Sequence, residues 1–389
     1  SAQAPIFEVD PLWPKPLPNH WLLGSAVGVA IDAQDHVLVV NLTNSFNTRT
    51  EIGAATNPPT GDCCLPAPNV LEFDPDGNLV KHWGGPGAGY SWPVDNHGIA
   101  IDPQGNVWIG GSAGSDSHIV KFDRNGKFAG LVGKVTVPVA APAAVAGDTS
   151  YAGVAGRGGR AGRGGRGGTP APPPLPANSR STETFGGPAS VSFNAQTNEA
   201  YVADGYRNRR VAVVNVGTGA IKRFFGAFGN QPDDAAPDAA KQFGTPVTCA
   251  ELARDGLLYV CDRANNRIQV FRANGTFVKE KIIAPNTRAA GSVWDVAFSA
   301  DPQQRFLYVA DGTNMKVHIL DRQSLDVLTS FGDGGRQPGQ FFAVHSIAVD
   351  SKGNVYTTES LQGKRLQKFV FKGVGPVTAA SRGVVWPKR

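Results

Sequence analysis

Residues 97–109 read His-Gly-Ile-Ala-Ile-Asp-Pro-Gln-Gly-Asn-Val-Trp-Ile, with Ile99, Ile101, Val107 and Ile109 alternating against smaller or polar neighbours. That period of two predicts a strand on each side of a Pro/Gly/Asn turn. The same pattern returns, less perfectly, at Val27–Val40, Pro188–Asp204, Pro246–Asp262, Val293–Asp311 and Val344–Glu359. Further strands follow most copies, as at Val70–Phe73 with Leu79–Trp83, and His118–Phe122 with Lys127–Val132. A single hairpin cannot bury its own apolar face, whereas four-stranded units repeated every roughly 45 to 50 residues can do so around a ring. The predicted fold is all-β, a six-bladed propeller of four-stranded antiparallel blades around a central channel. The blades fall at about 22–84, 94–133, 186–229, 244–283, 291–332 and 341–372, with an N-terminal strand near Pro5–Asp10 closing the last.

Composition agrees with many short strands, since charged residues make up 18% while Gly numbers 48 and Pro 29. The pattern stops between 134 and 184, an Ala/Pro/Gly/Arg-rich low-complexity insertion with too little apolar surface to order itself. Four arginines there (Arg157, Arg160, Arg163, Arg166) carry most of the net charge of +5, so no nucleic-acid partner is expected. No run approaches the about 18 apolar residues of a membrane helix, and Val135–Ala146 is broken by Pro138 and Pro142, so no membrane span is expected. Ser1-Ala2-Gln3-Ala4-Pro5 reads as the small-residue start left by signal-peptide removal, which predicts an exported protein, periplasmic or extracellular. Cys249 and Cys261 fall opposite each other in one hairpin, where a cross-strand disulfide is allowed. For Cys63 and Cys64 a vicinal bridge, free thiols and separate partners all stay open.

Lining up the copies at the start of the innermost strand gives the ring Val27, His97, Ala189, Val247, Trp294 and His345. Two histidines at one repeat position, facing one channel, are candidate metal or ligand groups. The loops Asp-x-x-Asn-x-Arg/Lys at Asp262 and Asp311, and a variant at Asp204, carry turn-forming residues that the scaffold itself needs. Tyr206 and Arg263 sit at variable places within those loops and are therefore candidates for function. Glu359, in the corresponding loop of the sixth copy, is the candidate third metal ligand.

The unit Ala-x-Asp-x-x-Gly-Asn-Val-x-Val followed by Ala-Asp-x-x-Asn-x-Arg-Ile-x-Val-Phe resembles the NHL repeat. The order of motifs is similar to that of peptidylglycine alpha-hydroxyglycine alpha-amidating lyases. The resemblance implies a zinc ion held by three channel histidines, a calcium ion nearby, and a Tyr and Arg residues assisting C–N cleavage. On it, His97 and His345 match two zinc ligands, and Tyr206 and Arg263 match the assisting residues. Val247 stands where another His is expected, Asn41-Leu42-Thr43 where an Arg is expected, and Ser346 where the family has an Asp that binds calcium. Two imidazoles are one short of a catalytic zinc set. The expected function is a channel that binds zinc or another divalent metal, with calcium as a second candidate ion, or a small-molecule or peptide ligand, without true amidating-lyase turnover. If the protein is an enzyme, the class is a metal-dependent lyase or hydrolase; the alternative is a non-catalytic scaffold that meets protein partners through the propeller faces.

Overall fold

The computed structural model describes residues 2–136, 174–236 and 241–378. Of the low-complexity stretch, 137–173, with its Arg-Gly-Gly spacing, lies outside the described residues. Six antiparallel four-stranded sheets form the six blades of a β-propeller, as the repeat predicts. Their inner strands are Ser25–Ile31, Asn96–Ile101, Pro188–Asn194, Val247–Leu252, Asp295–Phe298 and Val344–Val349. Blade six takes its outermost strand, Gln3–Asp10, from the N-terminus, paired antiparallel with Arg365–Pro376.

The second strand of each blade carries the core. Leu38, Trp108, Tyr201, Tyr259, Tyr308 and Tyr356 occupy one repeat position and are all at most 1% exposed. Each faces a small inner-strand partner in five blades (Ala30, Ala100, Ser192, Ala297, Ala348), so a large residue packs over a small one. In blade four the partner of Tyr259 is Glu251.

Turn chemistry sets the strand ends. Asp102 Oδ1 accepts the N–H groups of Gln104 and Asn106, and Gly105 between them adopts a φ of +85° that a Cβ would disfavour. Asp350 does the same for Lys352 and Asn354. At the opposite rim, Arg267 bonds Asp262 of its own loop at 2.6 Å and Arg210 bonds Asp204 at 2.7 Å. The sequence suggests that Arg209 or Arg267 reaches a neighbouring blade; Arg267, besides bonding its own loop Asp, lays its guanidinium over Phe228 of the third blade at 4.9 Å, while Arg209 turns to the Ala236 carbonyl.

Hydrogen-bond register also moves one channel position. Val247 pairs with Asp262 as Pro188 pairs with Asp204 and Ala26 with Asn41, and in each of these blades the next residue, at a break in the ladder, faces the channel, so Thr248 rather than Val247 matches Ala189 and Val27. Val247 is wholly buried among the core residues of blades three and four. Cys249 and Cys261 are disulfide-bonded, and Cys63 is bonded to Cys64.

Candidate functional site

The inner strands enclose a central cavity of about 490 Å³ whose lining includes His97, His345, Trp294 and Thr248. His97 and His345 come from blades two and six, which flank blade one, and their rings meet at 4.8 Å between centroids. Nδ1 of His97 lies 2.8 Å from the Ala189 carbonyl and therefore carries the proton. Nε2 is left as an acceptor, and the Tyr206 hydroxyl donates to it at 2.7 Å. Such a carbonyl anchor fixes both tautomer and ring orientation.

Arg263 lies beside this ring of residues, outside the cavity lining. Its guanidinium sits over the Trp294 ring at 4.4 Å, and the indole in turn meets His345 edge-on at 5.5 Å. Burial pushes His97 down to about 4, against the hydrogen bond to Ala189, and the Arg263 charge adds to the shift. Burial, His97 and Arg263 hold His345 well below the usual histidine range, opposed by the Val27 carbonyl. Both rings are neutral at neutral pH. Burial raises the Tyr206 phenol, with Arg263 opposing, so the phenol keeps its proton. Nδ1 of His345 and Nε of Arg263 are buried without a hydrogen-bond partner.

His97, His345, Tyr206 and Arg263 are thus brought together. Glu359 is not with them: Arg365 bonds both of its oxygens at 2.8 and 3.1 Å, Gln367 adds 2.8 Å and the Phe342 N–H 2.9 Å. Its place in the loop pattern is that of Asp262 and Asp311, and it does their structural work. The residues present do not fit a three-ligand zinc centre, because the donor set stops at two imidazoles, one already engaged by Tyr206, with a guanidinium beside both. Nor do they fit a calcium cage of six to eight oxygens, since Ser346 donates its hydroxyl to Asp295 at 2.7 Å. Among the described residues a three-ligand grouping does occur at Asp32, His36 and Glu72, but Arg124 already bridges the two carboxylates at 2.7 and 2.9 Å.

Three channel residues escape the motif reading: Thr248, because Pro246 precedes it by two residues where Pro188 precedes Ala189 by one, and Glu251 and Asp295, which line the cavity where other blades carry small side chains. Comparing the repeats position by position is the signal that finds the last two.

With this geometry in view, comparison with known proteins is consistent. No protein-family model matches the chain. Over 185 residues it is 27% identical to peptidyl-glycine alpha-amidating monooxygenase B of Xenopus laevis, covering 45% of this chain and 19% of that protein. A streptogramin B lyase structure superposes with a TM-score of 0.50 at 10% identity, covering 94% of this chain and 98% of the other. A protein of unknown function from Bacteroides thetaiotaomicron gives 0.51 at 14%, covering 96% and 77%. The chain is a six-bladed β-propeller. Those structural likenesses show the fold alone, and the chain spans about a fifth of the Xenopus relative, so what this propeller binds rests on its own residues.

Proposed function

We propose that this propeller binds a small molecule or peptide bearing an anionic group, most simply a carboxylate, at the channel mouth. The observation that carries the reading is Arg263. Arg210, Arg267 and Arg365 each bond a carboxylate of their own blade, whereas Arg263 is in no ion pair among the described residues. A half-buried guanidinium on an indole face, beside two neutral imidazoles, is a cation held for an incoming acceptor. His97 and Tyr206 then stand next to the bound group as a hydrogen-bonded acid–base pair that needs no resident metal. Proton abstraction is the chemistry to assay first, since a neutral imidazole hydrogen-bonded to a phenol can exchange a proton with a bound ligand. The two disulfides support an exported, oxidising location, and no helix among the described residues is long and apolar enough to cross a membrane.

Isothermal titration with peptides ending in a free carboxylate, and with the same peptides amidated, tests the reading. Free acids should bind and amides should bind at least about tenfold more weakly, a difference that Arg263→Met removes. Equal binding of acids and amides, or binding indifferent to Arg263→Met, would leave the non-catalytic scaffold as the better account.

A further inference from the structure

Below the mouth the channel carries two acids that the repeat does not require. Glu251 occupies the inner-strand position that is Ala30, Ala100, Ser192, Ala297 and Ala348 in the other blades. Asp295 lies one step inward of the mouth ring, where the other blades place Gly28, Gly98, Ser190, Cys249 and Ser346. At each place the other five blades build without an acid, so neither carboxylate is there to make a blade. Both line the central cavity.

Several buried carboxylates elsewhere have a cation: Glu199 has Arg223 and Lys222, Glu359 has Arg365, and Asp204 has Arg210, whereas Asp116 and Asp350 are held by N–H and O–H donors. Glu251 and Asp295, half-buried on neighbouring inner strands, are in no ion pair among the described residues. Oδ2 of Asp295 accepts the Ser346 hydroxyl at 2.7 Å and the Ile347 N–H at 3.1 Å, which fixes the carboxylate without neutralising it. Arg254, the basic residue that also lines the cavity, spends its guanidinium on the Ala300 and Asp301 carbonyls at 3.2 and 3.0 Å. Burial raises both carboxyls, Asp295 to about 6 and Glu251 well above the usual carboxylate range, the latter also by repulsion from Asp295. An unneutralised acid pair out of bulk water is costly unless a proton or a cation joins it.

Two other groups facing the same cavity lack partners. His345, only 7% exposed, has an unbonded Nδ1, and Ser190 has an unbonded Oγ. A polar group entering the channel would satisfy them. The walls around them, Ile99, Val191, Phe193 and Phe298, are apolar.

We propose that Glu251 and Asp295 form a subsite for the ammonium group of an organic ligand whose apolar portion runs along the channel. Resting on the reading of the mouth as an anion-binding site, this makes the ligand class an amino acid-like zwitterion: Arg263 holds the anionic end, and the acid pair receives the cationic end. An ammonium with three N–H donors suits two carboxylates and a nearby acceptor. A divalent ion suits them less, because the neighbouring inner-strand alanines supply no further side-chain oxygens.

Isothermal titration of the full chain near neutral pH with hexylamine, hexanoate and 6-aminohexanoate, each repeated with calcium present, tests the subsite. Hexylammonium should bind the wild type, weaken at least about tenfold in both Glu251→Gln and Asp295→Asn, and be indifferent to calcium. 6-Aminohexanoate should bind more tightly than either single-ended probe. Since Glu251→Gln removes repulsion rather than packing, it should melt no lower than the wild type, so that lost binding is not lost folding. Failure of hexylammonium to bind, equal binding in both variants, or displacement by calcium overturns the subsite. Hexanoate separates the two ends: if it alone fails to bind, the mouth reading falls while the acid pair stands.

Discussion

Arg210 and Arg263 lie on the same rim and do opposite work. Arg210 is wholly buried, with Nε on Asp204 at 2.7 Å and its remaining N–H groups on the carbonyls of Ser179, Ser181 and Thr184. Arg210→Ala would strand the Asp204 carboxylate in the core, and a urea unfolding curve should show a loss of about 3–5 kcal/mol. A loss under about 1 kcal/mol would mean that the pair is dispensable. Both roles were half legible in the sequence. The Asp-x-x-Asn-x-Arg spacing marked the structural residues, and the variable places within it marked Tyr206 and Arg263, because the turn leaves those side chains free. Glu359 was misassigned because its loop pattern resembles a site while its oxygens go to Arg365, Gln367 and the Phe342 N–H, pairings that spacing does not display.

Among the elements, the N-terminal strand has the largest leverage. Gln3–Asp10 covers the edge of Arg365–Pro376, and Phe7 packs on Tyr308 at 5.5 Å and on Phe331 at 5.3 Å, joining blades five and six. Without it a long strand edge and an apolar seam are open to other chains. Deleting residues 2–10 should abolish the cooperative thermal transition and give oligomers by size-exclusion chromatography; a monomer that melts cooperatively near the wild-type temperature would contradict this. Strand content was readable because a half-buried strand imposes a period of two, and Asp, Gly and Asn mark its turns. The channel position of blade four was not: Pro246 precedes it by two residues where Pro188 precedes Ala189 by one, so the ring residue is Thr248 and not Val247.

For the molecule as a whole, the channel sets opposing pH dependences. His97 has its folded value lowered to about 4, so as pH falls from about 6.5 the unfolded chain takes a proton that the folded chain refuses. Its effect is a loss of stability toward acid, at most about 1.4 kcal/mol per pH unit, in the window from about 6.5 to 4. Asp295 runs the other way. Its folded value, raised to about 6, means that the folded chain keeps a proton the unfolded chain releases, so its contribution declines as pH rises from about 4 to 6. A bulk stability profile would blend the two. The decisive measurement is therefore the ionisation of His97 itself, followed by NMR of the histidine-labelled protein and assigned with His97→Gln. The account predicts a neutral ring protonated on Nδ1 down to about pH 4, whose resonances shift when a carboxylate ligand is added. A ring that titrates near the ordinary histidine value, about 6.5, and does not respond to carboxylate would contradict it.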